Sequence, residues 1–568
     1  MLREHPVHGP DSRAIVAHFR EPDRSPRGIE AFPTYALAMP LLTISLLAAS
    51  LVAAPPRPGL AIEAREREAV AAATPTTTIV SHGFAATGKG AWAERMATEI
   101  LARAGGDGAV YRYTGPSGVL TRDPDGGGNG SSANIVVIFN WVEDSEFIDE
   151  GPNWNYAQAA GDAMQAMLRD AAYAEPGAGP SDLIAGRAVH FIGHSRGAIV
   201  NSEAIRRLAL AGLPVEQMTS LDAHPVNGTL DARYDLNWGD PVPVRWSNVA
   251  WADNYWRADG GGIFNGLDFD GIPIANTFDV QLSESVLNCC AYAFAHSDVH
   301  LWYFGTIDLS PNPSNGEQTI TNTMRNTWWP GGFDVVGFNR STIGGGERPT
   351  IPPGIDPDPA SAPLLENGGF TQGSRAGWAY HGGVGANVVQ SGSAWFARLN
   401  ASRSVLVHNR MFLPTPPPGQ ALRLRFAARR TATGATNDFL VAALERSEDE
   451  APVDLPDALW AAEDLDPAFG ERSTLVPAAF HGRTATLWIE LFGGGDSIDS
   501  TVELDDFVLE FVPAEASPDL DGNGTVNGAD LAILLAAWGA CEGCPADLDA
   551  NGQVNGADLA VLLGAWGG

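Results

Sequence analysis

The sequence predicts a multidomain chain: a parallel-sheet α/β unit, then a β-sandwich, then a small pair of helical repeats. Three observations carry this. Between residues 76 and 310, short apolar runs alternate with stretches of helical period. Between 364 and 513 the helical period disappears, and strand-like runs are separated by Gly, Pro and Asp clusters. Residues 514–568 contain an internal duplication.

Size and charge bound the reading. At 568 residues the chain exceeds one ordinary domain. Its 35 Lys and Arg stand against 68 Asp and Glu, for a net charge of −33. That argues against a nucleic-acid partner, because phosphate backbones are gripped by Lys and Arg. Charged residues are only 18% and hydrophobics 44%, so the chain is not an acidic disordered one. Four Cys exclude a disulfide-dense scaffold.

Residues 1–54 read as an N-terminal extension and signal peptide. The weakly polar run 35–54 is followed by Pro55 and Pro56, and Val52-Ala53-Ala54 offers small residues for cleavage. Secretion is expected, with an uncleaved membrane anchor the alternative. Residues 55–75 form an Ala/Pro-rich linker.

The α/β unit spans 76–346. Thr76–Ser81 is a β-branched strand ending at His82-Gly83. Trp92, Met96 and Ile100 share one helical face. Residues 135–139 (IVVIF) form a wholly apolar strand. Residues 156–174 place Ala160, Met164, Met167 and Leu168 at helical spacing. Residues 188–192 (AVHFI) are a second buried strand, followed by a helix bearing Ile199, Val200, Ile205 and Leu208. A strand at 217–221 comes next. Residues 347–363 are Pro-dense and read as a semi-rigid spacer. The sandwich, 364–513, has strand-like runs at 421–426, 484–491 and 502–511.

In the tail, 514–568, residues 519–538 and 547–566 match at 16 of 20 positions with an offset of 28. The first copy puts oxygen ligands at loop positions 1, 3, 5, 9 and 12: Asp519, Asp521, Asn523, Asn527 and Asp530. The second has Asp547, Asp549, Asn551, Asn555 and Asp558. Thr525 and Gln553 would add backbone carbonyls, and Gly524 and Gly552 allow the sharp turn. A hard cation of calcium size takes six to eight such oxygens, so two Ca²⁺ are expected. The tandem loop–helix units resemble type I dockerin, an EF-hand-like pair. The resemblance implies calcium-dependent folding and a cohesin-type protein partner. Gly528-Ala529 and Gly556-Ala557 stand where that family often carries a Ser-Thr recognition pair. Cys541 and Cys544, between the repeats, read as a local disulfide, with free thiols the alternative.

Gly193-His194-Ser195-Arg196-Gly197 is G-x-S-x-G between a buried strand and an apolar-faced helix, the setting in which Ser is a nucleophile on a sharp turn. Such a Ser needs a base held by a third group. Asp222, just after the strand at 217–221, is the candidate acid, with Asp253 its rival. His296 and His300 are the candidate bases. The order Ser, Asp, His follows. An oxyanion hole would use the N–H groups of Arg196 and Phe84.

These motifs resemble α/β-hydrolases of the lipase class, the pancreatic-lipase type. His82-Gly83-Phe84 matches the family's His-Gly-Phe, and Gly193–Gly197 its elbow. Leu221-Asp222-Ala223 matches its Leu-Asp-Pro except for the Pro. His296, with Tyr303 and Thr306-Ile307 at the family's spacing, is the base implied. Acyl-enzyme hydrolysis of an ester is the implied activity.

Residues 83–90 (GFAATGKG) mimic a phosphate loop, but Gly90 stands where Ser or Thr must hold Mg²⁺. His296 and His300, four apart, have no third metal ligand. Cys289-Cys290 are a vicinal disulfide or a thiol pair. The sandwich, with ENGGF near its start and VELDDFVLEF at its end, resembles carbohydrate-binding jelly-roll modules, with a structural spacer the alternative; Trp378, Trp395, Trp460 and Trp488 are its candidate sugar platforms, at least half of them expected in the core. Trp238, Trp246, Trp251 and Trp256 could form a lid, an acyl pocket or core. The expectation is a secreted serine lipase or esterase acting on a lipid or an acylated carbohydrate. The alternatives are a carbohydrate esterase in polysaccharide degradation, or a non-catalytic assembly protein that binds a cohesin or a polysaccharide.

Overall fold

The computed structural model describes residues 74–84, 90–115, 118–141, 154–228, 237–258, 270–282, 286–287, 291–292, 295–332, 335–359, 362–381, 387–400, 404–431, 437–446, 451–493, 500–514, 517–521, 525–541, 544–549 and 551–567. The signal or anchor reading of residues 35–54, most of the first linker, Cys289-Cys290 and Asn523-Gly524 lie outside the described residues.

The first unit is a three-layer arrangement. Its strands are β1 (Thr76–Ser81), β2 (Gly108–Thr114), β3 (Val119–Arg122), β4 (Asn134–Asn140), β5 (Ala172–Tyr173), β6 (Ala188–His194), β7 (Val215–Leu221), β8 (Val249–Trp256) and β9 (Phe278–Gln281). They lie in the order β5-β3-β2-β4-β1-β6-β7-β8-β9. β2 and β3 pair antiparallel, and every other pair is parallel. The sheet is therefore mixed. The helices are α1 (Ala91–Arg103), α2 (Tyr156–Arg169), α3 (Arg196–Leu210), α4 (Ala295–Phe304) and α5 (Asn322–Trp328).

Both sheet faces are covered, which is why β4 reads as an apolar run and β1 as a β-branched one. Ile79, Val137 and Phe191 pack with Met164 of α2 and Ile199 and Ile205 of α3. Val80, Ile138 and Ile192 pack on the opposite side with Met96 and Ile100 of α1 and Val299 of α4. The helix expected at 156–174 stops at Arg169, because Asp170 is extended and Ala172–Tyr173 joins the sheet edge as β5.

Residues 347–363 are not a free spacer along their first half. Trp251 Nε1 donates to Pro349 O at 3.1 Å, and residues 247 and 245 exchange backbone bonds with Ile355. Arg348 reaches Glu216 at 2.5 Å and Gln217 at 3.0 Å. Prolines lack an N–H but leave carbonyls free to accept, and donors of the α/β unit use them.

The sandwich follows as β10 (Trp378–His381), β11 (Asn387–Ser391), β12 (Ala394–Asn400), β13 (Ser404–Leu413), β14 (Gln420–Arg430), β15 (Phe439–Glu445), β16 (Val453–Ala461), β17 (Gly470–Leu475), β18 (Arg483–Phe492) and β19 (Thr501–Pro513). Two five-stranded sheets, β10-β13-β18-β15-β16 and β11-β12-β19-β14-β17, enclose one core. The sandwich docks on the α/β unit. Arg169 lies 3.4 Å over the Phe412 ring, Thr484 N donates to Asp170 Oδ2 at 2.8 Å, and the buried Arg207 pairs with Glu366.

In the tail, α6 (Gly528–Ala536) and α7 (Gly556–Gly564) bury Leu534 and Leu562, and Cys541 and Cys544 form a disulfide.

Candidate functional site

The site lies at the carboxyl ends of β1, β6, β7 and β8, the edge where open α/β sheets hold their ligands. Ser195 occupies the sharp turn between β6 and α3. Its φ of 57° and ψ of −131° are rare for a residue with a Cβ. Its N–H donates to Leu221 O at 3.0 Å, tying the turn to the end of β7. The flanking glycines are required. A Cβ on Gly193 would sit 2.7 Å from Ala198 N, and one on Gly197 would sit 2.5 Å from the carbonyl oxygens of Ser81 and His82.

Asp222 follows β7 directly and is wholly buried. Its Oδ1 accepts from Arg257 N at 2.8 Å, and its Oδ2 accepts from His296 Nδ1 at 2.7 Å. That bond puts the ring proton on Nδ1 and leaves Nε2 as the basic nitrogen. His296 begins α4, and its carbonyl accepts from His194 Nε2 at 3.1 Å, so the elbow and the base-bearing helix are joined. The structure thus brings Ser195, Asp222 and His296 to one edge of the sheet.

The rivals fall elsewhere. Asp253 lies within β8, where its Oδ1 accepts from Thr219 Oγ1 at 2.6 Å and Gln217 Nε2 at 3.2 Å. Burial pushes its pKa up to about 6. His300 is buried and stacks on Trp92 at 4.3 Å. Burial, then the neighbouring His194, pushes its pKa well down.

Phe84 and Arg196 carry the N–H groups that the oxyanion reading names. A Cβ on Gly83 would lie 2.4 Å from Ser195 Cβ, so the segment carrying Phe84 passes against the nucleophile. Arg196 opens α3, where first-turn N–H groups have no partner within the helix. Trp141, Asp240 and Arg257 neighbour the site, carry no motif and were not legible in the sequence; Trp238, read there as lid, acyl pocket or core, joins them. Trp141 donates to His82 twice, from N to Nε2 at 3.1 Å and from Nε1 to the carbonyl at 2.7 Å. Asp240 accepts from Arg196 Nε and Nη2, both at 2.6 Å. Arg257 supplies its N–H to Asp222, and Trp238 lies 6.1 Å from Phe84. Each partner is remote in the chain, so no local spacing signals it. Of the other tryptophans between Asp222 and His296, Trp251 is buried beside Phe278, and Trp246 donates to Ser202 O at 2.8 Å. Trp256 bonds Asp279 at 2.8 Å.

In the sandwich, Trp378 is buried against Phe507 and His408. Trp395 and Trp460 pack against the core, and Trp488 donates to Glu445 Oε2 at 2.8 Å. Of the four, Trp378 is buried, and Trp395, Trp460 and Trp488 are partly exposed.

In the tail, Asp519, Asp521 and Asp530 each bring a carboxylate oxygen within 4.8 Å of the others, and so do Asp547, Asp549 and Asp558. Three converging carboxylates per loop fit a hard divalent cation. Asn527 and Asn555 serve as helix caps, their Oδ1 accepting from Ala529 N at 2.9 Å and Ala557 N at 2.8 Å. Their Nδ2 groups donate to the carbonyls of Thr525 and Gln553 at 3.0 and 3.1 Å. Asn551 Oδ1 accepts from Gln553 N at 2.9 Å.

No family model and no curated protein matches the chain. Among solved structures, a carbohydrate-binding module specific for non-crystalline cellulose is 13% identical, with a TM-score of 0.21; the match covers 26% of this chain and 94% of that one. A xylan-binding domain from Paenibacillus barcinonensis is 15% identical, with a TM-score of 0.19; it covers 26% of this chain and 92% of that one. The enzymatically active domain of a bacteriophage CBA120 tailspike protein is 11% identical, with a TM-score of 0.20; it covers 28% of this chain and only 23% of the tailspike. Likenesses of this size carry neither a ligand nor an activity to this chain.

Proposed function

We propose that this chain is an exported serine ester hydrolase on an α/β-hydrolase scaffold. The observation that carries the reading is the 2.7 Å bond from His296 Nδ1 to the buried Asp222, at the sheet edge shared with the strained Ser195 turn. In this mechanism His296 Nε2 takes the Ser195 proton as Oγ attacks the ester carbonyl. Asp222 holds the ring and offsets the imidazolium charge. The tetrahedral oxyanion rests on the N–H groups of Phe84 and Arg196. His296 then protonates the leaving alcohol, and water, activated by the same nitrogen, releases the acyl-enzyme.

The substrate is an ester of a lipid or of an acylated carbohydrate. p-Nitrophenyl esters from acetyl to palmitoyl separate the two. Long-chain hydrolysis marks a lipase, and activity confined to acetyl marks a carbohydrate esterase. No turnover on any ester would leave the assembly-protein reading in its place.

We also propose that the tail binds two Ca²⁺ and serves as a docking module for a cohesin-type protein. Asp519, Asp521 and Asp530, and Asp547, Asp549 and Asp558, would hold the ions, which supply charge compensation for folding and no catalytic step.

A further inference from the structure

The side chain of Arg196 is unaccounted for by the reaction. It is 1% exposed, and its partner Asp240 is fully buried. The pair is bidentate, Nε to Oδ2 and Nη2 to Oδ1, both at 2.6 Å. Asp240 Oδ2 also accepts from Val226 N at 3.0 Å, and Trp238 N donates to Val226 O at 2.8 Å, so the carboxylate is anchored to the segment that carries Trp238. The third guanidinium nitrogen, Nη1, is buried without a hydrogen-bond partner. The plane is therefore held by Asp240 and by two ring faces, Trp238 at 4.6 Å and Trp141 at 5.3 Å.

Those two indoles touch opposite ends of the tripeptide His82-Gly83-Phe84. Trp141 bonds both the ring and the carbonyl of His82. Trp238 lies against the Phe84 ring. His82 Nδ1 donates to Gly83 O at 2.8 Å and stiffens the middle. A buried ion pair gains little stability over an apolar filling of the same volume, but a planar fork fixes direction as an apolar side chain does not.

We propose that the Arg196–Asp240 pair, clasped between Trp141 and Trp238, is a positioning clamp that sets the Phe84 and Arg196 N–H groups at the spacing an oxyanion needs. This rests on the catalytic reading above. The side chain touches no reacting atom; it acts through the backbone it holds.

The test uses the full chain with Arg196→Lys, which keeps the charge and loses the fork and the flat face. Trp238→Phe, which keeps a ring, is the second variant should the first not fold. Rates are normalised to sites labelled by a fluorophosphonate. The clamp predicts a kcat on p-nitrophenyl butyrate lower by about 10- to 100-fold, with KM within about twofold. Affinity for a trifluoromethyl ketone, which mimics the tetrahedral adduct, should fall by the factor lost in kcat/KM. Amide hydrogen exchange at residues 82–84 should accelerate. A merely structural pair would lower the fraction of labelled sites and leave kcat per site and ketone affinity unchanged, which overturns the proposal. If wild-type chain hydrolyses no ester, the catalytic reading fails separately. Unchanged exchange at Phe84 in Arg196→Lys would then still overturn the clamp, and accelerated exchange would support it.

Discussion

Asp222 and Asp253 are both buried carboxylates on the paths of adjacent strands, yet one faces an imidazole and the other a threonine. The difference is a matter of strand length. A strand ending at Ala252 would put Asp253 at the sheet edge, but β8 runs on to Trp256 and keeps Asp253 inside the sheet. Asp222 stands one residue past β7, at a φ of 50°, where its side chain can turn towards α4. Asp222→Asn should lower kcat by about 10⁴-fold, the size of effect an orienting triad acid carries. Asp253→Asn should leave kcat within about threefold, since its partners lie inside the sheet. Steady-state kinetics on one ester compares the two, and equal losses would reinstate Asp253. Ser195 was legible because its signature is five consecutive residues. The choice of acid needed the tertiary path of β8, which the run at 248–252 did not disclose.

At the scale of elements, the turn between β6 and α3 and the end of β1 form one unit. They approach so closely that side chains are excluded at Gly83 and Gly197. Gly83→Ala should lower kcat by at least about 100-fold, because its methyl would displace either Ser195 or the Phe84 N–H. Thermal unfolding should fall much less. A Gly83→Ala enzyme with wild-type kcat would show that this segment lies away from the reaction. The central strands were legible because both of their faces are buried. β2 and β3 were not, since GAVYRYT mixes core residues with Arg112, which is spent on Glu94 and Asp123 at the edge. The short β5 and β9 carry too few residues to show any period.

At the scale of the whole molecule, the sandwich and the α/β unit share a buried ionic cluster. Arg207 contacts Glu366 of the sandwich, Glu203 of its own helix at 3.1 Å and Asp162 of α2 at 3.5 Å. Burial raises the pKa of Asp162 and Glu366, and Arg207 opposes this in each. Removing the cation would leave three acids without it. Calorimetry of Arg207→Ala should show one lowered transition for both units, with a loss of about 3–5 kcal/mol. The tail should respond to a different agent: chelation by EGTA should unfold it and leave that transition in place. Two separate transitions for the α/β unit and the sandwich would mean that they are independent. Composition shifts in the sequence mark the passage from alternating strands and helices to strands alone. They could not reveal the docking, because Arg207 and Glu366 are 159 residues apart.

The central claim is that Ser195 is a nucleophile activated by His296. Intact-mass labelling with a fluorophosphonate probe, followed by peptide mapping, tests it without any assumption about the natural ester. One adduct per chain, on Ser195, is expected. Ser195→Ala should remove it, and His296→Ala should slow it at least about 10³-fold. No adduct on folded protein, or one that forms equally fast without His296, would contradict it.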